Sequence, residues 1–377
     1  MNIGIDARLY GPKVGGGGLG RYVEQLITEL QKIDNKNRYI LFLKKDNFDT
    51  CQITNKNFEK RLADVHWYSI KEQLRMPRLI DKERLDLIHY PHWNIPLRSK
   101  TPFIVTIHDL LLLEEPASAK KATQLDPFRY KLKYLGYKFI VDRAIHKSKQ
   151  IIAVSNFTKG SILKHFSTSP DKISVIHEGV TATKSDPKNL QPTTYNLKAP
   201  YFLYVGNAYP HKNLEALLHA FAFFHKLHPN VRLVLVGKKD LFWQWLEKEA
   251  EEIKIPRESI VFHGYATEEE LDAIYQKATL YVFPSRHEGF GLPPLEAMAR
   301  GVPVAASRTT AIPEILGDAA LYFSPDDIEE MVEVMEQALA DVDLRKRLRT
   351  KGHQQIKKYS WKNMAEETKK IYEQYVG

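Results

Sequence analysis

Residues 280–305 read LYVFPSRHEGFGLPPLEAMARGVPVA, and this stretch decides the type of fold. The apolar segments 280–283 and 302–305 are predicted strands. A glycine-rich turn and a helix lie between them. A proline at 293 or 294 suits the first helical position, where a missing N–H costs nothing, and Gly301 followed by Pro303 ends the helix. A strand, a helix and a second strand predict a parallel pair joined by a right-handed crossover.

The same alternation of short apolar runs and helical patterns extends along the whole chain. Several runs are apolar throughout, as expected for strands that helices cover on both faces. Residues 182–200 interrupt the alternation with a polar, proline-containing stretch that reads as a linker between two α/β halves. The predicted strands are Asn2–Asp6, Tyr39–Leu43, Asp86–Tyr90, Phe103–Ile107, Gln150–Val154 and Ile173–Ile176, then Tyr201–Val205, Val231–Val236, Ile260–Phe262, Leu280–Phe283, Val302–Ala305 and Ala320–Phe323.

The length and composition limit the classes of protein to which the chain can belong. A length of 377 residues with 43% hydrophobic and 27% charged residues is typical of a globular protein of two domains. The single cysteine, Cys51, excludes an intrachain disulfide framework. No apolar run approaches the roughly 20 residues that span a bilayer, and no signal peptide is visible, so we expect a cytoplasmic protein. The net charge of +9 favours contact with an anionic partner.

The turn in the opening stretch has the chemistry of a phosphate site. Its backbone N–H groups gather near a helix N-terminus, which attracts anions, and they belong to Phe290, Gly291 and Leu292. Glu288 before the turn and Glu296 in the helix are placed to accept hydrogen bonds from hydroxyl groups on either side. A nucleotide-sugar presents sugar hydroxyls, a diphosphate and ribose hydroxyls in that order. Alternatively, Glu296 only complements the helix dipole and Glu288 is a solvated loop residue.

The two glutamates, separated by seven residues, resemble the signature of the retaining nucleotide-sugar glycosyltransferases of family 4, the group 1 transferases. Other segments match this family in the same order, so the resemblance covers essentially the whole chain. It implies an α/β protein of GT-B architecture, with two Rossmann-like parallel-sheet domains facing across a cleft. The expected division is an N-terminal domain at 1–185, a linker at 186–199, a C-terminal domain at 200–360, and a final helix at 361–377 that crosses back to the first domain.

The resemblance also implies roles for residues of the second half. Lys212 matches a lysine that grips the donor diphosphate in the family, whereas Asn207 stands where many relatives have arginine. Glu288 would orient the donor sugar, and Glu296 the ribose. As an alternative, Lys212 is a surface lysine, although the first turn of a helix disfavours a cation.

In the first half, the resemblance implies roles for one histidine and two glycines. His108 matches a histidine that lies beside the transferred sugar. Asp109 is a candidate either to orient the ring of His108 or to cap the next helix. Gly18 and Gly20 belong to a glycine-rich loop that closes over the donor phosphates in the family. The alternatives are a structural histidine at a strand end and a loop that is merely mobile.

No metal or other cofactor is expected. The only Asp-x-Asp sequence, Asp341-Val-Asp343, lies in a charged helical region and is interpreted as solvent-facing. Residues 120–149 interleave basic and aromatic side chains, which suits peripheral contact with an anionic membrane. A helix that buries its aromatic residues in the domain core is the simpler interpretation. Nucleic-acid binding is not expected, because no recognised nucleic-acid motif accompanies the stretch.

The function that the resemblance implies is retaining, metal-independent transfer of a hexose from a nucleotide diphosphate sugar to a hydroxyl group. The acceptor would be a glycan or a lipid-linked acceptor in the synthesis of a cell-surface polysaccharide. Similarity to bacterial polysaccharide mannosyltransferases makes GDP-mannose the first expectation for the donor, followed by a UDP-sugar. Two alternatives from other classes are a nucleotide-sugar epimerase of the same fold and a non-catalytic protein that binds nucleic acid or membrane surfaces.

Overall fold

A computed structural model of the chain describes residues 1–15, 17–121, 123, 126–181, 197 and 200–375. The described chain forms two compact units, each built on one parallel sheet. Unit 1 comprises Met1–Leu110, Leu125–Gly179 and Ser360–Gly377, and unit 2 comprises Leu111–Gln124 and Val180–Tyr359. The predicted linker, 186–199, lies outside the described residues except for Leu197.

The sheet of unit 1 has seven parallel strands in the order β3-β2-β1-β4-β5-β6-β7. Its inner strands β4, β5 and β6 are buried at every residue except Phe103, which explains why their sequences are mostly apolar. The strands are β1 Asn2–Asp6, β2 Arg38–Leu43, β3 Phe58–Leu62, β4 Leu87–Tyr90, β5 Phe103–Ile107, β6 Gln150–Ala153 and β7 Ile173–Val175. The helices are α1 Pro12–Gly15, α2 Gly18–Ile33, α3 Lys45–Phe48, α4 Ile70–Lys82, α7 Pro127–Lys147, α8 Asn156–His165 and α16 Trp361–Gln374.

Unit 2 has six parallel strands in the order β10-β9-β8-β11-β12-β13. The strands are β8 Tyr201–Val205, β9 Arg232–Val236, β10 Ile260–Gly264, β11 Leu280–Phe283, β12 Val304–Ser307 and β13 Ala320–Phe323. The helices are α5 Leu111–Glu114, α6 Pro116–Lys121, α9 Leu214–Leu227, α10 Leu241–Glu252, α11 Glu268–Lys277, α12 Leu292–Ala299, α13 Ile312–Leu316, α14 Ile328–Ala340 and α15 Val342–Gln355. The parallel α/β architecture predicted for both halves is therefore confirmed.

The domain boundaries differ from the predicted ones at one internal segment. The sequence assigned residues 1–185 to one domain without interruption, whereas Leu111–Gln124 belongs to unit 2. Within this segment α6 packs against the 3-10 helix Pro210–Lys212, and Glu114 lies 3.8 Å from His287. These contacts group the segment with the second sheet. At the other end of the chain, α16 belongs to unit 1, where it packs against α2.

Each sheet has one position at which the order of the strands reverses, between β1 and β4 in unit 1 and between β8 and β11 in unit 2. The loops that follow such neighbouring strands diverge and leave a crevice, where open α/β sheets bind their ligands. No helix in the described part of the chain is long and apolar enough to cross a membrane.

Candidate active site

The glycine-rich turn of the opening stretch connects β11 to α12. Gly291 precedes the helix with φ +107°, a left-handed conformation that glycine adopts without strain. The helix begins at Leu292, so Pro293 and Pro294 occupy its second and third positions rather than the first. Because proline has no N–H, the donors at this helix start are concentrated at Gly291 and Leu292. The buried ring of Phe290 anchors the turn against Tyr359, 5.5 Å away between ring centroids.

Lys212 and Glu288 form an ion pair beside this turn. Lys212 Nζ lies 2.5 Å from Glu288 Oε1, and the two side chains are only 14% and 13% exposed. Because water reaches the pair so little, its attraction is stronger than that of a surface pair. An ammonium group has three donors, so one carboxylate oxygen does not saturate it. The pair therefore holds a partly buried cation next to the N-terminus of α12.

Three hydrogen bonds hold the loop of Lys212 against the loop of Glu288. Asn213, in a left-handed conformation with φ 59°, donates from Nδ2 to the carbonyl of Pro284 at 3.1 Å. Ser285 Oγ and Arg286 N both donate to the carbonyl of His211, at 3.1 and 2.8 Å. Because Asn213 is 2% exposed, water does not substitute for its bonds. These three hydrogen bonds explain why Lys212 and Glu288, which are 76 positions apart in the sequence, meet.

Lys212 and Glu288 follow β8 and β11, the two strands between which the order of the sheet of unit 2 reverses. The pair thus lies where an open α/β sheet binds its ligand. Burial lowers the pKa of neighbouring His211 to about 3, and the positive charge of Lys212 contributes to the shift. His211 is therefore neutral at physiological pH, so it offers hydrogen bonds without adding charge.

Thr310 also shapes the position of Glu288, although no motif in the sequence pointed to this residue. Its hydroxyl accepts a hydrogen bond from the backbone N–H of Glu288 at 3.1 Å. Thr310 has φ 53°, a conformation that is rare for a β-branched residue. Such strain persists only where surrounding contacts enforce it, and it is often found at functional sites.

Two other predicted donor-binding residues lie in the same elements. Asn207 follows β8, and its side-chain oxygen accepts a hydrogen bond from Tyr209 N at 3.4 Å. Glu296 lies in the second turn of α12 and is partly exposed. The turn, Lys212 and Glu288 are thus neighbours in unit 2.

His108, the predicted catalytic histidine of unit 1, follows β5 and is bonded at both ring nitrogens. Its Nε2 lies 3.0 Å from the carbonyl oxygen of Pro91, an acceptor, so Nε2 carries a proton. Its Nδ1 lies 2.9 Å from Glu178 Oε1, and this carboxylate is almost fully buried. Asp109 was one candidate to orient the ring, with capping of the next helix as the alternative, and the carboxylate that contacts Nδ1 is Glu178. With both nitrogens engaged, the ring of His108 is fixed in orientation between Pro91 and Glu178.

The two glycines of unit 1 lie in the first turn of α2. Gly18 is the first residue of the helix and is exposed. Gly20 packs so tightly on the preceding loop that a Cβ atom would collide with the carbonyl group of Gly11, which gives Gly20 a structural role. The same helix carries Tyr22, whose ring meets the His108 ring edge-on at 4.7 Å.

The basic aromatic stretch forms α7, and it does not bury all of its aromatic residues. Tyr137 is buried, but Phe128 and Phe139 are 76% and 51% exposed, which contradicts the simpler interpretation for these two. Leu132 and Leu135 are also exposed, so the four side chains repeat at helical spacing along one stripe.

The described residues contain no group of three or more His, Cys, Asp or Glu side chains that could hold a metal ion. Asp341 caps α15 by accepting a hydrogen bond from Leu344 N, and Asp343 lies 2.9 Å from Lys346 on the exposed surface. Both aspartates of the Asp-x-Asp sequence thus have local roles.

Comparisons with known proteins identify the family of the chain. The family model described as Glycosyltransferase Family 4 matches residues 16–184, and that of Glycosyl transferases group 1 matches residues 185–355. O-antigen chain mannosyltransferase B of Escherichia coli is 30% identical over 94% of this chain and 95% of its own length. O-antigen chain mannosyltransferase RfbU of Salmonella typhimurium is 31% identical over 73% of this chain and 71% of that protein.

Among solved structures, sucrose-phosphate synthase from Thermosynechococcus elongatus superposes with a TM-score of 0.79. The match covers 99% of this chain and 98% of that one, at 20% identity, and therefore concerns the fold alone. Because one relative is 30% identical along nearly its whole length and both family models match, the chain belongs to the group 1 glycosyltransferases of family 4, with the GT-B fold.

Proposed function

We propose that this chain transfers a hexose, with retention of the anomeric configuration and without a metal ion, from a nucleotide diphosphate sugar to a hydroxyl group. The first candidate donor is GDP-mannose, and the acceptor is a glycan or a lipid-linked acceptor of polysaccharide biosynthesis. The observation that carries the proposal is the partly buried Lys212–Glu288 pair next to the start of α12. The mannosyltransferase names of the two relatives support the choice of sugar.

In this mechanism the diphosphate leaves against fixed positive charge. Lys212 Nζ and the backbone N–H groups at residues 290–292 face the charge that develops on the leaving group, and such stabilisation is commonly the largest catalytic contribution. Donor phosphate competes with Glu288 for Lys212. Glu288 then accepts hydrogen bonds from the donor sugar, and Glu296 from the ribose.

Retention follows from attack on the same face from which the diphosphate departs. No protein nucleophile is needed, and a donor phosphate oxygen takes the proton of the attacking hydroxyl group. In unit 1, Glu178 and Pro91 fix the orientation of the His108 ring, and we propose that this ring lies beside the reacting sugar.

The first test is a thermal-shift panel of GDP, UDP, ADP, dTDP and their common sugars, with chelator and again with magnesium. A ligand at a hundred times its dissociation constant stabilises the fold by about 2.7 kcal/mol. We expect GDP and GDP-mannose to raise the melting temperature in chelator, and Lys212→Met to remove most of the rise. Lys351→Met is the matched control, because it removes an exposed lysine that pairs with Asp318 elsewhere in unit 2.

A rise in melting temperature with UDP compounds instead would identify a UDP-sugar as the donor and leave the proposed transferase activity standing. Turnover of donor to an epimerised free sugar, with no acceptor present, would favour the epimerase. No shift with any nucleotide would contradict the proposed function. The anomeric configuration of the product, read by NMR, tests retention separately.

We also propose that α7 contacts an anionic membrane surface. Phe128, Leu132, Leu135 and Phe139 are 51–76% exposed, and the first ten residues of the helix contain no buried side chain. Four cations and no carboxylate lie between 127 and 141. An exposed apolar stripe with basic flanks suits anionic lipid. The same cations would repel each other if two copies of the helix paired.

Co-sedimentation with phosphatidylcholine vesicles, with and without phosphatidylglycerol, tests this surface. We expect binding only to the anionic vesicles, weakened roughly tenfold or more by Phe128→Ser with Leu132→Ser, because two apolar side chains are lost from the lipid. Phe223→Ser with Leu227→Ser is the matched control, an exposed Phe-x-x-x-Leu pair on α9 that also includes a lysine. Equal losses in both double variants would contradict a specific role of α7.

A further inference from the structure

A cavity in unit 2 lies outside the Lys212–Glu288 pair. It has a volume of about 320 Å³, and aromatic rings form much of its wall. Tyr209 and Trp245, at its rim, are 41% and 50% exposed. The ring of Phe242 lies between them and meets each edge-on, with centroid distances of 5.3 and 5.2 Å. The polar lining residues are Lys121, Thr123 and Asp240.

The cavity is connected directly to the loop of Lys212. Tyr209 belongs to this loop, and its carbonyl accepts a hydrogen bond from Lys212 N at 2.8 Å. The opposite wall, with Lys121 and Thr123, continues from α6, which packs on the 3-10 helix Pro210–Lys212. A molecule in the cavity would therefore lie close to the proposed transfer site without occupying the place of the diphosphate.

The lining combines the groups that recognise a sugar. One face of a pyranose ring exposes C–H bonds, which pack on the electron-rich face of an aromatic ring. Its hydroxyl groups need acceptors and donors, which a carboxylate, an ammonium group and a hydroxyl group supply. Asp240 is held in place because its Oδ1 caps α10, accepting from Phe242 N and Trp243 N at 3.0 and 3.1 Å. The volume is at the lower end of the range for ligand pockets, about 300–1,000 Å³.

We propose that this cavity binds a sugar unit of the acceptor glycan, stacked on Trp245 or Tyr209 and hydrogen-bonded to Asp240 and Lys121. The inference rests on the proposed function, because it assigns the bound glycan to the acceptor. It gives unit 2 a part in acceptor recognition in addition to donor binding. Acceptors long enough to reach the cavity are then better substrates than a single sugar.

Saturation-transfer NMR with a panel of α-linked manno-, gluco- and galacto-oligosaccharides, without donor, tests the assignment. We expect at least one member to bind the wild-type chain, and Trp245→Ala to weaken its affinity by about tenfold. Lys121→Met is a second variant, since removal of an exposed lysine does not threaten folding. Phe223→Ala is the matched control, an exposed aromatic residue of unit 2 outside the cavity. Melting temperatures establish that all variants are folded.

GDP thermal shifts on the same samples separate the two proposals. Oligosaccharide binding that both cavity variants weaken, with an unchanged GDP shift, supports the sugar site. A GDP shift without any oligosaccharide binding, or with binding that the variants leave unchanged, overturns the cavity proposal and leaves the proposed function standing. Loss of the GDP shift in Trp245→Ala would assign the cavity to the nucleobase and overturn the sugar site. Absence of the GDP shift in the wild-type chain contradicts the proposed function itself.

Discussion

At the scale of the residue, each unit has one pair of charged or titratable groups among its candidate functional residues. Lys212 meets Glu288 in unit 2, and His108 meets Glu178 in unit 1. In each pair a carboxylate with little exposure fixes the position of a nitrogen group. Removing one member leaves the other with an unmet hydrogen bond in a place that water hardly reaches.

Glu178→Gln is expected to lower kcat by roughly tenfold or more, since bonds to charged groups are worth about 1.5–3 kcal/mol. The amide keeps the shape of the side chain but removes the negative charge that contacts His108 Nδ1. Side-chain NMR of His108 should therefore show a changed Nδ1 signal, together with a changed pH profile of activity.

The matched control is Glu249→Gln, which alters a similar pair, His219–Glu249 at 3.0 Å, on the half-exposed surface of unit 2. We expect it to leave kcat unchanged. If Glu178→Gln also leaves kcat and the pH profile unchanged, the His108–Glu178 pair has only a structural role.

At the scale of the element, the C-terminal helix α16 is held to the sheet of unit 1 by a network of buried side-chain hydrogen bonds. Tyr372 of α16 is bonded to His89 Nδ1 of β4 at 2.7 Å, and His89 Nε2 to Thr106 of β5 at 2.8 Å. Tyr22 of α2 reaches the same threonine at 3.1 Å. This network of hydrogen bonds joins two helices and two strands next to His108. The packing of α16 therefore also supports the surroundings of His108.

Tyr372→Phe is expected to destabilise the protein by about 1–3 kcal/mol, because it leaves a nitrogen of buried His89 without its partner. Urea denaturation, followed by circular dichroism, measures the loss. Tyr375→Phe on the same helix removes a bond to Gln150, but this tyrosine is 38% exposed and water can replace the bond. Similar losses of unfolding free energy in the two variants would show that the burial of this hydrogen-bond network adds nothing to its contribution to stability.

The edge strand β3 shows why some elements escaped prediction. Its sequence, Phe-Glu-Lys-Arg-Leu, has charged residues at its centre and does not read as a strand. Charges suit a sheet edge, where they prevent pairing with another chain. β3 exists because β2 offers it a partner, with Phe58 opposite Tyr39. The formation of β3 therefore depends on its pairing with β2, whereas the apolar inner strands could be recognised from their own residues.

At the scale of the whole molecule, buried histidines link stability to pH. Burial lowers the pKa of His89 to about 3, helped by neighbouring His108, and His89 has no exposed surface. In the unfolded chain its pKa is about 6.5. Between these two values the unfolded state binds the additional proton, so acid favours unfolding.

We therefore expect the free energy of unfolding to be greatest above about pH 6.5 and to fall as the pH decreases toward 3. His89 contributes a slope of up to about 1.4 kcal/mol per pH unit over this window. His89→Gln should flatten the slope by that amount, whatever its effect on stability at neutral pH, in urea titrations at several pH values. An unchanged slope would mean that the pKa of His89 is the same in the folded and unfolded states.

The sequence by itself determined the features that depend on neighbours along the chain. Apolar runs indicated every inner strand of the two sheets, and the glycines and prolines of 280–305 indicated a strand, a turn and a helix around Glu288. These features follow from local conformational preference and from burial on both faces of a sheet.

Only the tertiary structure decided which distant residues meet. Lys212 reaches Glu288 because β8 and β11 are neighbours in the sheet. Glu178 reaches His108 across 70 positions, and residues 111–124 belong to the second unit although they follow strands of the first. Such contacts depend on strand order and on the packing of loops beyond the strand ends, and no short stretch of sequence encodes either.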